Sequence, residues 1–125
     1  MLTRIAEKEQ RRRAKLSSAM NSSVVIVTGA SSGIGAATAR EFARHGAHVI
    51  LAARRVEELA IQVQTISGEG YNALAIPTDI ADATQVTQLV EQTLEQFGHV
   101  DVLVNNAGVG RIRLFSRSQR HTSTR

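Results

Sequence analysis

Residues 24–35 have the sequence VVIVTGASSGIG, in which a short apolar run leads directly into a glycine-rich turn. The first five of these residues are β-branched, which is typical of a buried strand. The turn contains Gly29, Gly33 and Gly35, and a helical pattern begins at Ile34. Glycine lets a ligand approach the main chain closely, and the start of a helix offers free N–H groups and partial positive charge. A strand, a glycine turn and a helix in this order therefore predict a phosphate-binding site.

The alternation of strand and helix patterns continues to about residue 104. A helix is predicted to end at Gly46, another before Gly68 and Gly70, and a third to begin after Asp82 and end at Gly98. Strands that alternate with helices indicate an α/β fold with a parallel sheet. The predicted strands are 24–28, 48–53, 73–76 and 100–104, and the predicted helices are 34–45, 56–66 and 83–97, the last with Asp82 as its N-cap.

The charge of this 125-residue chain is unevenly distributed. The net charge of +4 divides into +4 for residues 1–23, −5 for residues 24–110 and +5 for residues 111–125. We therefore predict a basic N-terminal extension over 1–23, compatible with a helix over 4–16, a folded unit over 24–110 and an irregular basic tail over 111–125. A nucleic-acid partner is not expected, because the folded unit is acidic and aromatic residues make up only 3% of the chain.

Several other classes of protein are disfavoured by composition. The chain has no cysteine, which excludes disulfides and thiolate metal sites and fits a reducing compartment, so we expect a cytoplasmic location. No apolar run approaches the ~20 residues of a membrane span, and the basic N-terminus lacks the apolar stretch of a secretory signal, so no membrane partner is expected. The histidines show no metal-ligand spacing, and no metal is predicted; they are His45, His48, His99 and His121.

Three motifs together resemble the short-chain dehydrogenase/reductase family. Residues 28–35 match its T-G-x-x-x-G-x-G motif, residues 105–108 match its N-N-A-G motif, and Asp79 follows the third strand, where the family has an adenine-contacting aspartate. The resemblance spans residues 24–108. It implies a Rossmann-type doubly wound parallel sheet with strand order 3-2-1-4, present here as an incomplete β-α-β-α-β-α-β dinucleotide-binding half-domain.

The resemblance also implies roles for individual residues. The glycine turn would surround a pyrophosphate, two serines would lie near the adenosine ribose and its phosphate, and the aspartate would accept a hydrogen bond from the adenine amino group. The N-N-A-G residues would hold the fourth strand against the turn and line the cofactor's ribose; without the other motifs they would be taken as an ordinary turn after a strand. The glycine turn comprises Gly29, Gly33, Gly35 and the Ile34 main chain, and the two serines are Ser31 and Ser32. The adenine contact would be made by Asp79 with the Ile80 backbone. The N-N-A-G residues are Asn105, Asn106, Ala107 and Gly108.

The end of the second strand predicts which dinucleotide binds. Ala53 is followed by Arg54 and Arg55, and no acid occurs between Glu41 and Glu57. An acid at this point would bind the ribose 2′-hydroxyl of NAD, whereas a guanidinium pairs with a 2′-phosphate. We therefore predict NADP(H), with Arg54 as phosphate partner and Arg55 assisting. NAD(H) is the alternative, with both arginines as solvated residues at the start of a helix.

The residues that the resemblance assigns to catalysis are missing from this sequence. The family uses a serine and a Tyr-x-x-x-Lys motif, but the single tyrosine, Tyr71, has Ala75 four residues later, and the only lysines are Lys8 and Lys15. The first hypothesis is therefore the cofactor-binding part of an NADP-dependent oxidoreductase that transfers hydride to or from a carbonyl or alcohol. The alternatives are a non-catalytic nucleotide-binding module or a truncated or frameshifted product without activity, and an S-adenosylmethionine enzyme, which Ala53 disfavours because that class needs an acid there.

The basic tail is the least regular part of the sequence. Its bias towards Arg, Ser and Thr after Gly110 suggests either a frameshift or truncated gene, or a tail that binds an anionic partner. Without further strands, the fourth strand is expected to be an exposed apolar edge, which favours aggregation and gives marginal stability. No substrate can be named from the sequence, and an oligomer is expected only in a longer form.

Overall fold

A computed structural model describes residues 4–11 and 21–106, together with the backbone of residues 113–116. Residues 4–11 form a helix that is almost entirely exposed, whereas residues 12–16 of the predicted N-terminal helix lie outside the described residues. No helix in these ranges is both long and apolar enough to cross a lipid bilayer.

The main unit is an α/β sheet structure, as predicted. Its sheet order is β3-β2-β1-β4-β5, and the first four strands run parallel, which confirms the predicted order 3-2-1-4. The elements are β1 (Val24–Thr28), α1 (Gly33–Arg44), β2 (His48–Ala53), α2 (Val56–Gly68), β3 (Asn72–Pro77), α3 (Ala83–Phe97), β4 (Val102–Asn105) and β5 (Arg113–Ser116).

The fourth strand begins two residues later than predicted. The Val24 N–H donates to Asp101 Oδ2 at 2.8 Å, and the Asp101 N–H donates to the Val24 carbonyl at 2.9 Å. The Asp101 carboxylate thus accepts the hydrogen bond from the Val24 N–H that a main-chain carbonyl of a neighbouring strand would otherwise accept. Regular pairing of β4 with β1 therefore begins at Val102. His99 Nε2 lies 2.9 Å from the same Asp101 oxygen.

The prediction that the fourth strand forms an exposed edge is wrong. β5 pairs antiparallel with β4 along its whole length, from Val102 opposite Ser116 to Asn105 opposite Arg113. The prediction of an irregular tail is likewise wrong for the four residues of β5. The physical reason is that an apolar edge strand presents unpaired N–H and C=O groups, which a following segment satisfies by pairing with it.

The helices α1, α2 and α3 divide between the two faces of the sheet, which is the doubly wound arrangement that the family resemblance implied. One core cluster combines Val25 and Val27 with residues of α1 and α2, such as Ala39 and Leu59. The other combines the alternate residues of the same strand with Leu89 of α3. Side chains alternate between faces along a strand, so the continuous β-branched run serves both layers at once.

An exposed ion pair between Arg40 and Glu69 also links α1 to the end of α2 and holds the pKa of the Glu69 carboxyl below its usual value.

The ends of α3 follow the sequence signals closely. Asp82 Oδ1 accepts hydrogen bonds from the N–H groups of Thr84 at 2.9 Å and Gln85 at 3.4 Å. Gly98 ends the helix in the left-handed region with a φ of 84°, a conformation that glycine adopts without strain. The end of α2 is less well predicted, because the helix continues through Gly68.

Replacing Asp82 with alanine removes the side-chain acceptor at the start of α3. We expect the free energy of unfolding to fall by about 0.5–2 kcal/mol, measured by urea denaturation of the full chain. Asp82→Ser is the matched control, because a serine hydroxyl can still cap the helix. If serine and alanine lowered the stability equally, the capping hydrogen bonds would not be the source of the loss.

Candidate functional site

The residues singled out in the sequence lie where the parallel strands end. The Ala30 N–H donates to the Ala52 carbonyl at 3.3 Å, and the Thr78 N–H donates to the Ala53 carbonyl at 2.9 Å. These bonds fasten both the glycine turn and the turn after β3 to the end of β2. The glycine turn, Arg54 and Asp79 therefore lie at the same edge of the sheet, the one formed by the carboxyl ends of the parallel strands. In open α/β sheets this is the edge at which ligands bind.

The glycine turn is closely packed at Gly35. A Cβ added to this residue would lie 2.1 Å from the Gly29 carbonyl oxygen and 2.7 Å from Asn106 Nδ2. No side chain can be accommodated at these distances without moving the backbone. Gly35 therefore allows the first turn of α1 to rest directly on the start of the glycine turn.

The hydroxyl of Thr28 joins this turn to the end of β4. It donates to Asn105 Oδ1 at 3.1 Å and accepts from the Asn106 N–H at 3.0 Å. Asn106 Nδ2 donates to the Gly29 carbonyl at 3.5 Å. Asn105 and Asn106 thus hold β4 against the glycine turn, whereas Ala107 and Gly108 lie outside the described residues. Sequence reasoning assigned no role to the Thr28 hydroxyl, although the threonine is part of the quoted motif.

The start of α1 differs from the starts of the other two helices of the unit. Ser32 precedes α1 without a capping hydrogen bond, and no acid lies in its first turn. By contrast, α2 has Glu57 and Glu58 in its first turn, and α3 is capped by Asp82. The partial positive charge and free N–H groups at the start of α1 are therefore not neutralised by its N-cap residue or by its first turn.

The surface of the turn is also sterically open. Gly33 has a φ of 62°, and a Cβ placed on it would meet no atom within 4 Å. Ser32 and Ile34 on either side are exposed, and Ser31 is half-buried. An anion with several oxygens fits here, because the site combines open space with unneutralised donors.

Two arginines after β2 have different surroundings. Arg55 Nη1 donates to both carboxylate oxygens of Glu58, to Oε1 at 2.9 Å and to Oε2 at 2.8 Å. This pairing raises the pKa of the Arg55 guanidinium. Arg54 is exposed, and its guanidinium forms no hydrogen bond or ion pair within the described part of the chain. Of these two arginines, Arg54 is therefore the one whose guanidinium has no partner among the described residues and can bind a ligand.

Asp79 and the exposed Ile80 lie in the turn between β3 and α3. Asp79 Oδ1 accepts from the Ala81 N–H at 3.0 Å, and the Asp79 N–H donates to Gln85 Oε1 at 2.8 Å. Sequence reasoning missed Gln85. Its position three residues after the capping Asp82 matches a capping box, which was the available signal.

A second glutamine that sequence reasoning missed lies in α2. Gln62 Nε2 donates to the Ser31 carbonyl at 3.3 Å and so ties α2 to the glycine turn. Nothing in the sequence identified it, because the contact joins residues 31 positions apart.

Tyr71 lies away from this edge. It directly precedes β3, at the opposite end of the strand from Asp79, and it packs against the core of the α1 and α2 layer. No group of His, Asp and Glu residues suited to a metal ion occurs in the described ranges. The described residues at these strand ends offer anion binding and hydrogen bonding.

Comparison with known proteins agrees with this geometry. The family model described as short chain dehydrogenase matches residues 23–124, a range that continues beyond β5. The oxidoreductase YxjF of Bacillus subtilis is 44% identical over 90 residues, which cover 72% of this chain and 35% of that protein.

Solved structures give the same result. A metagenomic short-chain oxidoreductase in complex with NADP shares 41% identity with a TM-score of 0.70, covering 72% of this chain and 41% of that one. The L-sorbose reductase of Gluconobacter frateurii, complexed with NADPH and L-sorbose, shares 40% identity with a TM-score of 0.69, covering 74% of this chain and 35% of that one. This chain spans well under half the length of these proteins. By the family match, the sheet order and the glycine turn, it belongs to the short-chain dehydrogenase family.

Proposed function

We propose that this chain binds a nicotinamide dinucleotide, with NADP(H) preferred over NAD(H), and acts as the cofactor-binding part of an oxidoreductase. The start of α1 supports this proposal, because it combines N–H groups that no side chain of the N-cap residue caps, a first turn without an acid and an open glycine surface. The dinucleotide pyrophosphate would lie there, against Gly29, Gly33, Gly35 and the Ile34 main chain. Relatives whose solved structures contain NADP or NADPH support the same cofactor class.

The remaining contacts follow from the shared sheet edge. Ser31 and Ser32 would lie near the adenosine ribose, Asp79 and the Ile80 backbone near the adenine, and Asn105 with the residues after it near the other ribose. Two observations support the preference for NADP(H). The residue that ends β2 is Ala53 rather than an acid, and Arg54 next to it has no partner within the described residues.

The cofactor would supply the hydride, but proton transfer needs a further group. In this sequence no tyrosine has a lysine four residues later, and Tyr71 is packed against the core. We therefore propose that this chain by itself binds the dinucleotide without reducing a carbonyl. The alternatives of a non-catalytic nucleotide-binding module and of an inactive truncated or frameshifted product share this expectation.

Replacing Gly35 with alanine tests the geometry of the pyrophosphate site. The added methyl group would force the Gly29 carbonyl and α1 apart, so we expect NADPH to bind at least about 10-fold more weakly and stability to fall by about 1–3 kcal/mol. Titration calorimetry and urea denaturation measure the two effects.

Gly68→Ala is the matched control for this substitution. A Cβ at Gly68 would meet no atom within 4 Å, and the residue lies in α2. We expect unchanged NADPH affinity and stability raised by up to about 1 kcal/mol, because alanine favours a helix over glycine. If Gly35→Ala bound NADPH as tightly as the unmodified chain does, the proposal that the pyrophosphate binds at this turn would be wrong.

Replacing Arg54 with alanine tests the choice of dinucleotide. A charge-assisted hydrogen bond to a 2′-phosphate is worth ~1.5–3 kcal/mol, so NADPH should bind ~10–150-fold more weakly while NADH changes little. Arg55→Ala is the control, and its effect should be smaller because the side chain is already engaged by Glu58. Equal weakening of NADPH and NADH by Arg54→Ala would argue for a solvated arginine rather than a phosphate partner.

The proposed lack of catalysis is tested with the unmodified chain. Mixed with NADPH and a panel of ketones and aldehydes, it should bind the dinucleotide but consume none beyond the rate without carbonyl, as followed by absorbance. Carbonyl-dependent consumption that disappears with Arg54→Ala would contradict the proposal and require a proton donor other than a Tyr-x-x-x-Lys motif.

A further inference from the structure

One side chain connects the turn after β3 to the first turn of α3. Gln85 is half-buried; its Oε1 accepts the Asp79 N–H at 2.8 Å, and its Nε2 donates to Asp82 Oδ2 at 3.2 Å. Both ends of the amide are engaged, and with opposite hydrogen-bonding roles. Exchanging the oxygen and nitrogen would oppose a donor to a donor, so these partners determine the orientation of the amide.

The Gln85 contact reaches further back than helix capping requires. In a capping box, the side chain at this position returns to the N–H of the capping residue itself. Here it passes Asp82 and reaches Asp79, three residues earlier, while Asp82 already caps the helix with its own carboxylate. The Gln85 side chain therefore restrains the turn before α3 as well as the capping residue Asp82.

This restraint is centred on Asp79. Its N–H is held by Gln85, its carbonyl accepts from the Asp82 N–H at 3.0 Å, and its Oδ1 accepts from the Ala81 N–H at 3.0 Å. Its Oδ2 accepts no hydrogen bond from any described residue. The backbone and one carboxylate oxygen are thus fixed, and the second oxygen is left to accept a hydrogen bond from a ligand.

We infer that Gln85 is a positioning residue that orients Asp79 to accept a hydrogen bond from the exocyclic amino group of adenine. It would thereby contribute to selection of an adenine dinucleotide over one whose base lacks that amino group. This inference rests on the proposed function, since it requires a dinucleotide bound at the edge where Asp79 lies beside the glycine turn.

The test compares two ligands in a Gln85→Leu variant of the full chain. The ligands are NADPH and its hypoxanthine analogue, in which an oxo group replaces the adenine amino group and offers only an acceptor to Asp79. In the unmodified chain the analogue should bind about 10-fold or more weakly than NADPH, because a hydrogen bond to a charged acceptor is lost. In Gln85→Leu this ratio should fall to about threefold or less, mainly through weaker binding of NADPH.

Gln92→Leu is the matched control. Gln92 is an exposed glutamine of the same helix, and its side chain makes no hydrogen bond within the described residues. It should leave the ratio of the two affinities unchanged, whereas Asp79→Ala should abolish the discrimination.

The outcomes separate the inference from the proposal on which it rests. If Gln85 only stabilises α3, its loss weakens both ligands by the same factor, and the unchanged ratio overturns the inference. If the unmodified chain binds both ligands equally, the contact between Asp79 and the adenine amino group is absent; the inference fails while dinucleotide binding stands. If the unmodified chain binds neither ligand, the proposed function itself fails and the inference with it.

Discussion

The first turn of α1 lies directly against the Gly29 carbonyl because Gly35 has no side chain to separate them. This contact sets the distance between the end of β1 and the start of the helix, and the Thr28 hydroxyl and Asn106 then close the gap to β4. A chain with any side chain at Gly35 would have to move the helix away from the turn. The spacing between β1, α1 and β4 at the candidate site therefore depends on the absence of a side chain at Gly35.

The same packing leaves the start of α1 facing open space. Glu57 and Glu58 in the first turn of α2 complement the positive end of that helix, and at the start of α3 the Asp82 carboxylate also accepts hydrogen bonds from two N–H groups. The start of α1 has neither, which is why we propose that its N–H groups bind the pyrophosphate. Arg54 adds a further positive charge directly after the end of β2. Arg55 instead pairs with Glu58 at the start of α2.

The sequence was informative wherever a signal is local. Asp82 before α3 and Gly98 after it marked a helix that the structure places at the same positions, because capping involves residues only a few positions apart. The β-branched run of β1 predicted a strand buried on both faces. The strand after the N-N-A-G motif was missed, because its pairing with β4 depends on a free strand edge and not on a strong pattern of its own.

The sequence by itself determined the order of strands and helices from β1 to β4, the position of the glycine turn and the absence of an acid after β2, since these depend on residue types and short spacings. Only the tertiary structure decided that the Thr28 hydroxyl joins β1 to β4, that Gln85 restrains Asp79, and that Arg55 is paired while Arg54 has no partner among the described residues. These features rest on side-chain directions and on contacts between distant segments. A one-dimensional pattern does not contain them, because hydrogen bonds of a few ångströms form only after the sheet has brought its strand ends together.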